Sequence, residues 1–364
     1  MDRYLVLENG RIFKGRAFGA DRQVTAEIVF TTAMTGYIET LTDKSYKGQA
    51  VVQTFPLIGN YGMIEEDQES DQPYVSAYIV REWCDAPSNF RCEGHLDDYL
   101  KKNNIPGIYG IDTRALTRIL REYGTMNGVI TDRPDVIFID ALKDYSVRDA
   151  VRAVSVRAPK LIPAVKSKYT IAMLDFGCKE NIVRALNQRG CDVWLLPYNT
   201  PPKAVTSLSP DGLFLTNGPG NPEDNPEVIQ NLKEFLKSGL PVMGICLGHQ
   251  LLALANGFKT EKLMYGHRGA NQPVKDMTTG HVYISSQNHG YAVVGESIDQ
   301  AVAKPWFVNV NDGTNEGLIY KNIPAISVQF HPEACGGPKD TDYLFDEYIK
   351  MIEAAKRKEV PLCR

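Results

Sequence analysis

A chain of 364 residues, 43% hydrophobic and 23% charged, is too long for one typical domain and apolar enough to bury large cores without metal or disulfide staples. Its formal net charge of −4, with no long block of like charge, argues against a nucleic-acid surface as the main function. The first apolar run, Leu5-Val6-Leu7, is too short for a signal peptide, and no later run has membrane-spanning length, so a cytoplasmic enzyme or scaffold is expected.

The first half reads as short strands, turns and a few helices. RYLVLENGRIFKGRAFG predicts a hairpin turning at Asn9-Gly10. TAEIVFTT and QAVVQTF are further strands, and HLDDYLKKNN is a helix. DTRALTRILREYG is a second helix: Asp112 or Thr113 caps it, Leu116, Ile119 and Leu120 form its apolar stripe, and Gly124 ends it. Arg114, Arg118 and Arg121 share its other face, which suits either simple solvation or a partner. VRAPKLIPAVKSK, residues 156–168, breaks the pattern with two prolines and several basic residues. It is read as a linker between domains at 1–155 and 169–364.

Beyond it the rhythm changes. YTIAMLDFG, CDVWLLP, DGLFLTNGPG and PVMGI are nearly continuous apolar strands; KENIVRALNQRG and EVIQNLKEFLKSG are helices between them. Such alternation predicts an α/β domain with a doubly wound, mostly parallel sheet, preceded by a mixed α/β N-terminal domain. In such sheets the working groups sit at the carboxyl ends of strands, where TNGPGNP and CLGHQ both fall.

The seven cysteines, Cys84, Cys92, Cys178, Cys191, Cys246, Cys335 and Cys363, are odd in number and form no C-x-x-C pair. Disulfides and structural zinc are therefore not expected, and most of these thiols should be small buried hydrophobes. Cys246 is the exception. It lies in G-x-C-x-G, Gly244 to Gly248, the sulfur counterpart of a nucleophile elbow, with a helix beginning beside it. The helix N-terminus favours thiolate, and the Leu247 N–H can face a developing oxyanion. By spacing alone a buried core cysteine fits equally well.

A nucleophile needs a base. In His331-Pro332-Glu333 the proline keeps His331 out of helical geometry, so residues i and i+2 project to one side. Glu333 can then hold one ring nitrogen while the other faces Cys246. Alone, the tripeptide also suits a surface turn. TNGPGNP is a turn or, through the Gly218 N–H, a second oxyanion donor. Asn288, His289, Gly290 and Tyr291 in SQNHGYAV could hold the charged end of an amino acid. His249, His267, His281 and His289 show no metal-ligand spacing, and neither a Walker A pattern nor a G-x-G-x-x-G after a strand occurs.

With GICLGHQ at 244–250, TNGPGNP at 216–222 and HPE at 331–333, the second half resembles the class I, triad-type glutamine amidotransferases. The whole chain resembles a narrower family, the small glutamine-hydrolysing subunits of carbamoyl-phosphate synthase. MTGYIETLTDKSY (34–46), FPLIGNYG (55–62), IPGIYGIDTRALTRILR (105–121), GHRGANQPVKD (266–276) and SQNHGYAV carry that likeness. The resemblance implies that Cys246 attacks the glutamine side-chain amide, His331 shuttles the proton and Glu333 orients His331. It implies oxyanion N–H groups at Gly218 and Leu247, and glutamine contacts at Ser45, Gly218, Gly220, Leu247, Gln250, Asn288, Gly290 and Tyr291. It also implies a cysteinyl-glutamyl thioester and ammonia passed internally to a large synthetase subunit. That partner would hold ATP and magnesium and make carbamoyl phosphate from bicarbonate, for arginine or pyrimidine synthesis or both. No cofactor or metal is expected on this chain. Four positions depart from the family pattern: asparagine is usual where Thr31 stands, proline at Lys44, histidine at Gln272 and phenylalanine at Tyr291. Lys44 adjoins Ser45 and bears on that contact. The alternatives are the same glutaminase chemistry serving another synthase, which would leave the N-terminal domain unexplained, or a non-catalytic scaffold, against which the intact Cys246, His331 and Glu333 argue.

Overall fold

The computed structural model describes residues 1–334 and 336–359. Cys335, Cys363 and the last residues of the domain read at 169–364 lie outside them. The chain forms two compact units, Met1–Ala150 with Arg268–Ala270, and Val151–His267 with Asn271–Arg364.

The first unit is a closed barrel of seven strands. Asp2–Leu7 and Ile12–Gly19 form the hairpin read from the sequence; Gly10 adopts φ 82°, the left-handed turn conformation that glycine takes without steric cost. Asp2–Leu7 also pairs with Met126–Thr131, and Ile12–Gly19 with Pro106–Tyr109. Val24–Thr31, Gln49–Gln53 and Ala77–Ile79 complete the circuit, parallel to one another and to Pro106–Tyr109, with Val24–Thr31 antiparallel to Met126–Thr131. The sequence reading named these strands in part but not their closure. Helix Thr113–Tyr123 matches its capping signals: the Asp112 carboxylate accepts the Ala115 N–H at 2.9 Å, and Gly124 follows at φ 91°. It buries Leu116, Ile119 and Leu120 and leaves Arg114, Arg118 and Arg121 exposed.

The second unit is built on a ten-stranded sheet. Five adjacent strands run parallel: Cys191–Pro197, Tyr169–Asp175, Gly212–Leu215, Val242–Ile245 and Ala325–Val328. Residues of Tyr169–Asp175 alternate between two cores. Ala172 and Leu174 pack with helices Pro226–Phe235 and Leu247–Ala255, while Ile171 and Met173 pack with Glu180–Gln188 and Tyr343–Glu359. Burial on both faces is the physical reason these strands lack a polar alternation. Beyond Ala325–Val328 the sheet continues antiparallel through Asn315–Tyr320, Ala303–Asn309 and Thr260–Asp276, with Val282–Val293 at the edge. The proline-marked stretch 156–168 contributes strand Lys160–Ile162, antiparallel to Cys191–Pro197, and is pinned where the Val156 N–H donates to Asp175 Oδ2 at 2.7 Å.

Helix Leu247–Ala255 lies directly on the strand ends because Gly248 has no side chain. A Cβ there would stand 2.3 Å from the Leu215 carbonyl oxygen, a backbone atom that cannot swing aside. Gly248→Ala would gain at most about 1 kcal/mol of helix propensity against about 1–3 kcal/mol of overpacking. A net loss of stability is expected, read as a lower thermal midpoint; an unchanged or raised midpoint would contradict this packing. No helix among the described residues is long and apolar enough to cross a membrane.

Candidate active site

Strand Val242–Ile245 ends one residue before helix Leu247–Ala255 begins, and the residue at the joint is Cys246. Its backbone sits at φ 52°, ψ −105°, a conformation a side-chain-bearing residue adopts only under constraint. The constraint is visible on both sides. The Cys246 N–H donates to the Val328 carbonyl at 2.9 Å, and its own carbonyl accepts the Gln250 N–H at 3.1 Å. Gly244 allows the return: a Cβ on it would meet the Gly248 backbone at 2.9 Å. The sulfur is buried at the helix N-terminus and lies 3.7 Å from the Asn288 carbonyl.

His331 follows strand Ala325–Val328, the immediate sheet neighbour of Val242–Ile245. Its N–H donates to the Ser286 carbonyl at 2.9 Å, which ties the loop to the strand carrying Asn288. Nδ1 of His331 meets Glu333 Oε1 at 2.6 Å, so the i, i+2 geometry read from His-Pro-Glu is present. Nε2 is buried and has no hydrogen-bond partner other than Cys246. Burial disfavours the imidazolium, and the Lys179 ammonium opposes it too. The Glu333 carboxylate and a hydrogen bond with Cys246 outweigh both and hold the His331 pKa up at about 10. Glu333 answers in the opposite sense: burial pushes its carboxyl up, but His331 and then Lys179 pull it below the ordinary value.

Lys179 was not picked out from the sequence. Its ammonium approaches His331 Nδ1 at 3.4 Å and Glu333 Oε1 at 3.6 Å, nearly buried. The turn after strand Tyr169–Asp175 delivers it. Asp175 Oδ1 accepts the Gly177 and Cys178 N–H groups at 3.0 and 2.7 Å, and Asn217 Oδ1 accepts the Lys179 N–H at 3.3 Å. The available signal was a lone lysine at the carboxyl end of an apolar strand, directly before a helix.

The other residues singled out in the second half lie around this centre or on the strands leading to it. Gly218 is required to be glycine, since a Cβ would stand 2.3 Å from the Phe176 carbonyl and 2.8 Å from Leu247. Gly220 follows in an exposed turn at φ 88°. Leu247 and Gln250 are buried on the helix, and Asn288 is buried on the strand that continues through Gly290 and Tyr291. The Tyr291 carbonyl accepts from Gln250 Nε2 at 2.7 Å. Ser45 belongs to the first unit. It is buried in the short 3-10 turn Lys44–Tyr46, where its N–H donates to Asp43 Oδ1 at 2.8 Å, and the Lys44 ammonium lies 5.9 Å over the Tyr74 ring. Spacing gave no hint that histidines gather. The fold nevertheless brings donor atoms of His267, His289 and Glu316 within 4.8 Å of one another, all buried. Cys178, Cys191 and Cys246 are buried and Cys84 and Cys92 half-buried, all five outside any disulfide.

A cysteine sulfur, a histidine ring and a carboxylate thus stand together, with backbone N–H groups of a helix start beside the sulfur. This arrangement suits acyl transfer from an amide. Comparison with known proteins points the same way. Residues 5–130 match the family model of the carbamoyl-phosphate synthase small chain, CPSase domain, and residues 172–351 match that of glutamine amidotransferase class-I. The carbamoyl phosphate synthase small chain of Bacillus cereus is 50% identical over 366 aligned residues, covering 100% of both chains. That of Clostridium perfringens is 50% identical over 96% of this chain and 99% of its own. That of Caldanaerobacter subterraneus subsp. tengcongensis is 47% identical over 98% of each. With both family models matched in order, and half of all residues shared end to end with such relatives, the chain belongs to the carbamoyl phosphate synthase small chain family.

Proposed function

We propose that this chain releases ammonia from L-glutamine through a Cys246 thioester and passes it to a large synthetase subunit. The observation that carries the reading is the buried His331 ring beside Cys246. Glu333 holds its Nδ1 at 2.6 Å, and its Nε2 has no other hydrogen-bond partner.

The imidazolium held by Glu333 stabilises a Cys246 thiolate. The sulfur attacks the side-chain amide carbon, and the oxygen becomes an oxyanion facing the Gly218 and Leu247 N–H groups. As the C–N bond breaks, His331 Nε2 gives its proton to the departing nitrogen, and ammonia leaves. The thioester remains. His331, now neutral, takes a proton from water, whose oxygen attacks the thioester carbon. The C–S bond breaks, releasing glutamate and restoring the sulfur. Gly220, Gln250, Asn288, Gly290 and Tyr291 line the approach and hold the amino-acid end. Lys179, beside the His331–Glu333 pair, offsets part of the carboxylate's charge. No cofactor or metal takes part on this chain. ATP and magnesium act on the large subunit, which consumes the ammonia with bicarbonate to give carbamoyl phosphate for arginine or pyrimidine synthesis. Both subunits would reside in the cytoplasm.

The isolated chain is expected to hydrolyse glutamine slowly and the large subunit with its substrates to accelerate it, because assembly gates a site built on buried loops. Glutamate release measured with and without the large subunit tests this. Equal turnover would sink the coupling, and no turnover in either case would sink the glutaminase reading.

A further inference from the structure

Two histidines and a glutamate, far apart in sequence, meet in the antiparallel half of the large sheet. Donor atoms of His267, His289 and Glu316 lie within 4.8 Å of one another, and all three side chains are buried. Each is oriented from its outer side. His267 Nε2 lies 2.8 Å from Asp312 Oδ2, so that nitrogen carries the proton and Nδ1 turns its lone pair inward. Nδ1 is buried, 3.3 Å from Glu316 Oε1 but without a hydrogen-bond partner among the described residues. Glu316 Oε1 accepts from Asn309 Nδ2 at 3.1 Å, and its Oε2 is buried with no such partner among the described residues. His289 Nδ1 lies 2.8 Å from the Tyr291 carbonyl, so the proton sits there and Nε2 is the lone-pair nitrogen. That Nε2 lies 3.1 Å from the side-chain oxygen of Gln287. The amide cannot turn over: Ser285 Oγ donates to the Gln272 carbonyl at 3.0 Å and therefore accepts from Gln287 Nε2, at 3.2 Å.

The proton count falls short. Two neutral rings supply two N–H groups, and the Asp312 carboxylate and the Tyr291 carbonyl take both. The inner nitrogens then face the Glu316 carboxylate and the Gln287 oxygen, lone pair against lone pair, where burial makes the mismatch costly. Protonating both rings would relieve it only by setting two imidazolium ions, with ring centres 4.9 Å apart, inside the protein. One divalent cation relieves both contacts at once. We propose that His267 Nδ1, His289 Nε2 and a Glu316 carboxylate oxygen bind a zinc-type divalent ion, with Gln287 Oε1 or water as the fourth ligand. Two imidazoles and a carboxylate are a donor set that suits zinc, and a carboxylate behind a ligating histidine, as Asp312 stands behind His267, is its usual support. Tetrahedral ligands at about 2.0–2.2 Å from the ion lie roughly 3.4 Å apart. The His267–Glu316 contact at 3.3 Å already has that spacing. The ion is structural. It ties strands Thr260–Asp276, Val282–Val293 and Asn315–Tyr320 together beside Asn288 and takes no part in the reaction at Cys246.

The test uses the full chain without a purification tag, stripped with a chelator and titrated with Co2+. One equivalent should bind with the visible absorption of a tetrahedral ion and no thiolate charge-transfer band, which separates this site from the cysteines. Zinc should displace the cobalt and raise the thermal midpoint. His267→Gln and Glu316→Gln should each weaken cobalt binding at least about a hundredfold, and Asp312→Asn, at an exposed side chain, about tenfold. Cys246→Ser should bind cobalt as the parent does. Should the two buried variants fail to fold, Asp312→Asn carries the comparison. No saturable uptake by the parent would overturn the proposal and leave two protonated rings in the cluster. A thiolate band that disappears in Cys246→Ser, or parental affinity in the folded variants of His267, Glu316 and Asp312, would overturn it by placing the ion elsewhere. None of these outcomes depends on whether the chain hydrolyses glutamine.

Discussion

Cys246→Ser in the assembled synthase should lose two or more orders of magnitude of glutamine-dependent carbamoyl phosphate synthesis, roughly the cost of deleting a nucleophile. The hydroxyl is nearly isosteric with the thiol but far less acidic, so the His331 imidazolium has no thiolate to stabilise. The fold should survive. The elbow is held by backbone bonds from Cys246 to Val328 and Gln250, which serine also makes. Supplying ammonium salt should restore synthesis, because ammonia enters after the step that needs the sulfur. The decisive measurement is both activities side by side in the same preparation. Loss of both in a complex that still assembles would show that Cys246 is not a dedicated glutaminase nucleophile.

His331→Asn should be nearly as severe, and Glu333→Gln distinctly milder. Asparagine can fill the space and keep a hydrogen bond but cannot carry a proton between sulfur, leaving nitrogen and water. Glu333 acts through His331: its carboxylate counters burial and the Lys179 charge and raises the ring's pKa to about 10. In Glu333→Gln that support is gone and the His331 pKa falls. The sign for the sulfur follows, since a less basic ring favours the thiolate–imidazolium pair less. Alkylation of Cys246 by iodoacetamide between about pH 6 and 8 should therefore slow several-fold in Glu333→Gln, alongside a moderate drop in glutaminase kcat. Faster alkylation, or a larger kcat loss for Glu333→Gln than for His331→Asn, would mean that the roles are wrongly assigned.

Much of this molecule was legible in residue order because the deciding physics is local. Asn9-Gly10 can turn a hairpin, Asp112 can cap a helix, and the apolar runs around Ile171 and Met243 can only be strands buried on both faces. Cysteine between Gly244 and Gly248 is local in the same sense, since the elbow needs glycines at those offsets to close. His331 and Glu333, two residues apart across a proline, carry their own geometry. What residue order could not give depends on partners far along the chain. Barrel closure in the first unit follows from strand register and stagger, which no single strand encodes. The antiparallel half of the large sheet, from Thr260 to Tyr320, lacks the strand–helix rhythm that announced the parallel half. Lys179 stands 152 positions before His331, and only the parallel order of the sheet lays their strand ends near each other. The buried group of His267, His289 and Glu316 draws on three separate strands, Thr260–Asp276, Val282–Val293 and Asn315–Tyr320. Glu316 looks unremarkable in sequence, because a buried polar group declares its purpose only through the partners that burial forces on it.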